Sequence, residues 1–127
     1  MRIIGHGIDV VKVAGIKEEL DSPTKKWAEQ FCSPDEREQA DAPPMHYRYY
    51  AGRFAGKEAV VKALGTGFAG DVTWRGIEIL RGESGAPYIR LSDDVLDLAE
   101  NLGICGWLIS ISHCDGITMA SAIALGE

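Results

Sequence analysis

Between Met45 and Leu64 the chain runs without a proline and then meets Gly65. The spacing predicts a long helix over 45–64, closed by a left-handed glycine. A chain of 127 residues is most simply one domain, spanning 1–127, and is long enough to build a core without disulfides or a structural metal. The last part of the helix, from Arg53 to the Gly65-Thr66-Gly67 end, carries an unusual set of charges. Arg53 stands one turn from Lys57, and Glu58 one turn from Lys62. Like charges at that spacing repel modestly, so the Arg53–Lys57 pair predicts an anionic ligand such as a phosphate. Glu58 with Lys62 is also an ordinary surface pair, and alone it implies no function.

The remaining chain supplies strands and short helices. Residues 3–12 predict a first strand, in which Gly5 and Gly7 mark a bulge or a close approach by backbone or ligand. Ser22-Pro23-Thr24 starts a helix that buries Trp27 and Phe31. Ser33-Pro34-Asp35-Glu36 starts a second, short helix, broken at Asp41-Ala42-Pro43-Pro44. After a loop over 68–75, strands at 76–81 and 86–91 flank a Gly82-Glu83-Ser84-Gly85 turn. Ser92-Asp93-Asp94 caps a helix ended by Gly103. Two last strands, 107–112 and 117–125, are joined through His113-Cys114-Asp115-Gly116. This order predicts an α+β fold with a largely antiparallel sheet packed against the long central helix.

Bulk properties narrow the function. A net charge of −6 argues against non-specific nucleic-acid binding. Residues 48–62 nevertheless hold Arg48, Arg53, Lys57 and Lys62 against Glu58 alone, a local patch suited to a discrete anion. No apolar run is long enough for a membrane helix. The N-terminus contains glycines, His6 and Asp9 and lacks a small-residue cleavage pattern, so it reads as a strand and not as a signal peptide. Cys32, Cys105 and Cys114 are odd in number and have no Cys-x-x-Cys spacing. They predict reduced, mostly buried thiols in a cytoplasmic protein.

Several residues are candidates for chemistry. Asp9 stands in an apolar strand between Ile8 and Val10. It is either an edge residue or, with Glu58, one of two carboxylates for a magnesium ion that keeps much of its water. Gly65-Thr66-Gly67 follows its helix, so it is no P-loop; Gly65 is a helix stop, and Gly67 leaves room for a ligand against the backbone. Gly85-Ala86-Pro87 closes a hairpin. Ser110-Ile111-Ser112-His113 has no nucleophile elbow, which excludes a serine hydrolase of that type.

In this order and spacing, the Gly5-x-Gly7-x-Asp9 strand, Phe31-Cys32-Ser33-Pro34-Asp35-Glu36, the Arg53-to-Gly67 run, Gly85-x-Pro87 and Ser110-x-Ser112-His113 resemble the bacterial holo-[acyl-carrier-protein] synthases, the small 4′-phosphopantetheinyl transferases. The resemblance covers the whole chain and implies a specific reaction. The phosphopantetheine arm of coenzyme A is moved to a serine of apo acyl carrier protein, with magnesium, and adenosine 3′,5′-bisphosphate is released. It also implies a role in fatty acid biosynthesis and homotrimers with sites between subunits. By motif match it makes Asp9 and Glu58 the metal carboxylates and sets Glu58 and Lys62 at the reacting phosphates. Arg53, Lys57, Lys62, Gly65, Thr66 and Gly67 would hold coenzyme A. Gly85, Pro87, Ser112 and His113 would lie near its adenosine 3′-phosphate. One departure is visible: Lys12 and Gly15 stand where the family has an acid and a carrier-binding arginine. Carrier recognition then falls to other cations, among them Lys17, Lys25, Lys26 and Arg48. A non-catalytic coenzyme A or carrier-binding module and a magnesium phosphohydrolase are the competing readings.

Overall fold

Helix α4 (His46–Leu64) is the axis of the computed structural model, which describes residues 1–127. It ends as its sequence requires: Gly65 takes φ 78°, and its N–H donates to the Val61 carbonyl at 3.0 Å. Strand β1 (Arg2–Lys12) opens the chain, followed by helices α1 (Val13–Asp21), α2 (Trp27–Phe31) and α3 (Pro34–Glu38). After α4 come the β2 (Ile77–Arg81) and β3 (Pro87–Leu91) hairpin, helix α5 (Asp93–Asn101), and strands β4 (Gly106–Cys114) and β5 (Ile117–Gly126). The strands form two sheets, β1-β5-β4 and β2-β3, and every pairing is antiparallel. The α+β architecture expected from sequence is the one observed.

Helix α4 lies across the inner face of the three-stranded sheet. Gly52 and Gly56 face Ile111 and Ile109 of β4, while Ala59 and Ala63 face β1. On β1 the contact is backbone to backbone. A Cβ on Gly5 would overlap the Ala63 carbonyl oxygen, and one on Gly7 the Ala59 carbonyl oxygen. Close approach is therefore the reason for both glycines, and a register shift between Ile3 and Gly5 adds the bulge. The main core joins α4 to β5, α5 and β2 through Ala55, Val60, Ile77, Val95, Ala120 and Ala122. A second, largely aromatic cluster joins Phe31, Tyr49 and Tyr50 with Trp27, Phe54 and Trp74 packed against it.

Three expectations need correction. The chain between β1 and residue 22 is helical, whereas sequence placed the first helix start at Ser22-Pro23-Thr24; Ser22 instead ends α1, and the next helix begins at Trp27. Helix α1 has Lys12 at its N-cap with no side-chain cap and an internal Gly15, so it carries none of the usual start signals. Strand β4 continues through Cys114, leaving only Asp115 (φ 50°) and Gly116 (φ 75°) as the turn. Two left-handed residues make a tight hairpin, which Asp-Gly favours. Finally, only Cys32 is buried, its thiol pushed up by burial and by Glu36; Cys105 and Cys114 are exposed, and all three are free.

Candidate active site

Asp9 points to the inner face of β1, next to the strip where Gly7 lets α4 come close. That brings it to the flank of α4 bearing Glu58 and Lys62. The Lys62 ammonium donates to the Asp9 carboxylate at 3.2 Å and to the Ile8 carbonyl at 2.9 Å. The Glu58 carboxyl is held above the usual carboxylate range, first by partial burial, second by the charge of Asp9, with Lys62 opposing. Asp9, Glu58 and Lys62 therefore form one group, built from segments 49 residues apart in the chain (58 − 9). A shallow cavity of about 190 Å³ opens there, lined by Ile8, Asp9, Val10, Lys62 and Met119. Lys62 lies two residues short of the α4 terminus, so Gly65, Thr66 and Gly67 follow closely. Gly67 has φ 68°, and Thr66 donates its hydroxyl to the Gly67 carbonyl at 3.0 Å.

Arg53 and Lys57 do not join this group, contrary to the sequence expectation. Arg53 and Lys62 are nine residues apart, about 180° around a helix of 3.6 residues per turn. Arg53 and Lys57 thus face β2, where they are buried. Lys57 donates to the Glu36 carboxylate (2.7 Å) and to the Trp74 (2.8 Å) and Ile77 (2.7 Å) carbonyls, which uses all three of its protons. Arg53 donates through Nε to the Ile79 carbonyl at 3.1 Å and lies over the Tyr49 ring. Lys57 is thereby satisfied without a ligand phosphate, whereas the Nη2 of Arg53 is buried without a partner.

The outer edge of β2 explains the arrangement. A strand edge presents backbone groups that must be satisfied. Here side chains do it in sequence: Lys57 at the Ile77 carbonyl, Glu36 at the Ile79 N–H, Arg53 at the Ile79 carbonyl, and Gln39 at both groups of Arg81. Glu36 was readable in sequence only as the partner of Ser33 in a capping box, which the structure contains. Its second oxygen, turned to Ile79, was not. A lysine in a helix interior without an acid one turn away was the available signal that a distant carboxylate had to exist.

A further polar group lies toward the start of α4. His113 sits against Gly52, and its Nδ1 meets the Thr118 hydroxyl at 2.7 Å. Burial lowers its pKa, and the positive charges of Arg48 and Arg53 lower it further. His113, Arg48 and the β4–β5 turn line a cavity of about 360 Å³. Thr118 was missed in sequence, although a two-residue Asp-Gly turn sets it opposite His113. Ser112 is exposed on the other face of β4. Gly85 (φ 87°) is in the β2–β3 turn and Pro87 opens β3 opposite Arg81, apart from both groups within one chain. Among the cations expected at the carrier, Lys17 pairs with Asp21 and Lys25 with Glu19, leaving Lys26 and Arg48 without an ion pair.

Residues 5–111 match the model of the 4′-phosphopantetheinyl transferase superfamily. A holo-[acyl-carrier-protein] synthase of Maridesulfovibrio salexigens is 43% identical, with 98% of each chain covered. That of Natranaerobius thermophilus is 41% identical over 95% of this chain and 96% of its own. Among solved structures, the holo-[acyl-carrier-protein] synthase of Neisseria meningitidis superimposes with a TM-score of 0.89 at 29% identity, covering 98% of this chain and 99% of that one. The Helicobacter pylori synthase, solved in complex with coenzyme A, gives a TM-score of 0.83 at 31% identity, covering 94% and 99%.

Proposed function

The chain belongs to the 4′-phosphopantetheinyl transferase superfamily, among the holo-[acyl-carrier-protein] synthases, and we propose that residues 1–127 act as one domain that uses Asp9, Glu58 and Lys62 to move the phosphopantetheine arm of coenzyme A onto a serine of apo acyl carrier protein. The observation that carries this reading is the convergence of those three side chains on one flank of α4. Two neighbouring carboxylates, with no third acid, histidine or cysteine in ligating reach, are a donor set for magnesium, which keeps several waters and takes phosphate oxygens. When bound there, magnesium supplies Lewis-acid neutralisation of the diphosphate charge. Asp9 and Glu58 would hold it, and their mutual repulsion is the reason a cation is favoured between them.

The chain's own groups do the rest. Lys62 reaches the leaving phosphate and neutralises the charge that develops as the bond to adenosine 3′,5′-bisphosphate breaks. The serine oxygen forms the new bond to phosphorus, and its proton passes to the Glu58 carboxylate or to a water beside it. Gly65, Thr66 and Gly67 offer backbone for the pyrophosphate. His113 and Arg48 line the cavity suited to the 3′-phosphate, with Ser112, Gly85 and Pro87 contributed across a subunit boundary. Of the candidate carrier-binding cations, Lys26 has neither an ion pair nor a place in that cavity. We place the reaction in fatty acid biosynthesis in the cytoplasm, where three free thiols persist reduced.

Assembly is part of the proposal. The outer face of the three-stranded sheet exposes Ile3, Ile8, Val10, Leu108, Ile117 and Met119, with Val10 61% exposed. Such a patch marks a protein interface. A homotrimer built on it would bring a neighbour's surface against the Asp9 cavity, which Ile8, Val10 and Met119 line.

The decisive experiment mixes the protein, Mg²⁺, coenzyme A and an apo carrier protein and weighs the carrier. A gain of one phosphopantetheine arm is expected, and Glu58→Gln abolishes it. Coenzyme A binding without any mass gain would leave only a binding module, and phosphate release without a carrier would indicate a phosphohydrolase.

A further inference from the structure

Glu36 and Lys57 are wholly buried, 2.7 Å apart, and touch neither Asp9 nor Glu58. Each is fully engaged. Glu36 accepts from the Ser33 N–H (3.0 Å), the Ile79 N–H (2.9 Å) and Lys57. Lys57 completes its valence on the Trp74 and Ile77 carbonyls. A buried ion pair is weak ground for stability, because its desolvation offsets most of the attraction. Its geometry, however, is stringent. It ties α4 to α3, to β2 and to the segment before β2, and Arg53 repeats the tie one turn earlier.

Lys57 is the residue before Glu58. Any rotation of α4 that released the Lys57 ammonium would swing the Glu58 carboxylate relative to Asp9. The Gly5 and Gly7 contacts fix how close α4 comes to β1, and apolar packing of its buried face limits its rotation without directional bonds. The polar tie on the opposite flank adds a directional restraint. We propose that the buried Glu36–Lys57 pair is a positioning device for the divalent-ion site, fixing the rotation of α4 so that Glu58 stays beside Asp9. This rests on the reading of Asp9 and Glu58 as the metal carboxylates. It also sets selectivity: a rigid pair of carboxylates discriminates Mg²⁺ from the larger, more tolerant Ca²⁺.

The test compares the full chain with Glu36→Gln, Glu36→Asp and, as a control of similar burial that makes none of the tie's polar bonds, Val95→Ala. Mg²⁺ and Ca²⁺ are titrated by calorimetry in the presence of coenzyme A, at a temperature where every variant is folded. Outer residues that orient metal ligands are worth about tenfold or more in affinity. Glu36→Gln is therefore expected to weaken Mg²⁺ about tenfold, to weaken Ca²⁺ much less, and to leave the KM for coenzyme A at saturating Mg²⁺ unchanged. Val95→Ala is expected to melt earlier with its Mg²⁺ affinity intact. Should Glu36→Gln not fold, Glu36→Asp keeps the charge on a shorter arm and gives the same reading with a smaller shift. Variants that lose stability but bind Mg²⁺ and Ca²⁺ as the parent does would overturn the positioning role alone. A parent chain that binds neither ion would overturn it together with the metal reading.

Discussion

Glu58 holds its proton more tightly in the folded chain than its ordinary value of 4.5 would allow, because burial and Asp9 both disfavour the anion. The folded state therefore binds more protons than the unfolded state in the pH range just above that value. Stability must then fall as pH rises through that range. Glu58→Gln removes the penalty. At pH 7 without metal, the variant is expected to melt above the parent, while transfer is lost. Adding Mg²⁺ should raise the melting temperature of the parent and not of the variant. Melting curves over pH 4–8, with and without Mg²⁺, check both statements; a variant that melts at or below the parent at pH 7 would remove the proposed repulsion. At this scale the sequence was legible only for one flank of α4. In the chain Lys62 differs from Lys57 only in having an acid, Glu58, one turn away where Lys57 has none. What separates them in space is where the edge of β2 falls, and that depends on a hairpin and a capping carboxylate that local spacing does not locate.

Elements that announce themselves by covalent constraint were legible: the Gly65 stop, the Ser33–Glu36 capping box and the glycine-bounded β2–β3 hairpin all stand where the residues set them. Helix α1 was not, since packing of Ile16 against the aromatic cluster makes it helical in the absence of a cap. The Gly5-x-Gly7 strand lies between these cases. Its glycines declared a close approach without saying to what. The partner is α4, and this makes a sharp prediction. In Gly7→Ala the new methyl group overlaps the Ala59 carbonyl, so α4 and β1 must separate. Overpacking of this kind costs about 3 kcal/mol. Because the same contact brings Asp9 to Glu58, transfer should fall further than the folded fraction does. Urea unfolding and transfer rates on one preparation measure the two losses; equal losses would show that the contact supports the fold and not the site.

For the whole molecule, the sheet has one face covered by α4 and one face left apolar and open. An antiparallel sheet with one solvated face normally alternates apolar with polar residues. On β1 and β5 the outward positions instead include Ile8, Val10, Ile117 and Met119, beside Leu108 on β4, with His6, Ser121 and Ser110 as polar members among them. Alternation was visible in the sequence, but its sense was not: apolar residues at both parities read as a buried strand, and only the position of α4 shows which set is uncovered. Leu108 is exposed and far along the strands from Asp9, since it pairs with Ile123 and through it with His6. Leu108→Lys should therefore leave the single chain folded. If copies associate through this face, light scattering will give a multiple of 13.8 kDa for the parent and a value near 13.8 kDa for the variant. Transfer should fall with it, and at dilution the parent should lose activity where the mass does. A variant that is monomeric yet fully active would separate assembly from catalysis and place the whole site within one chain.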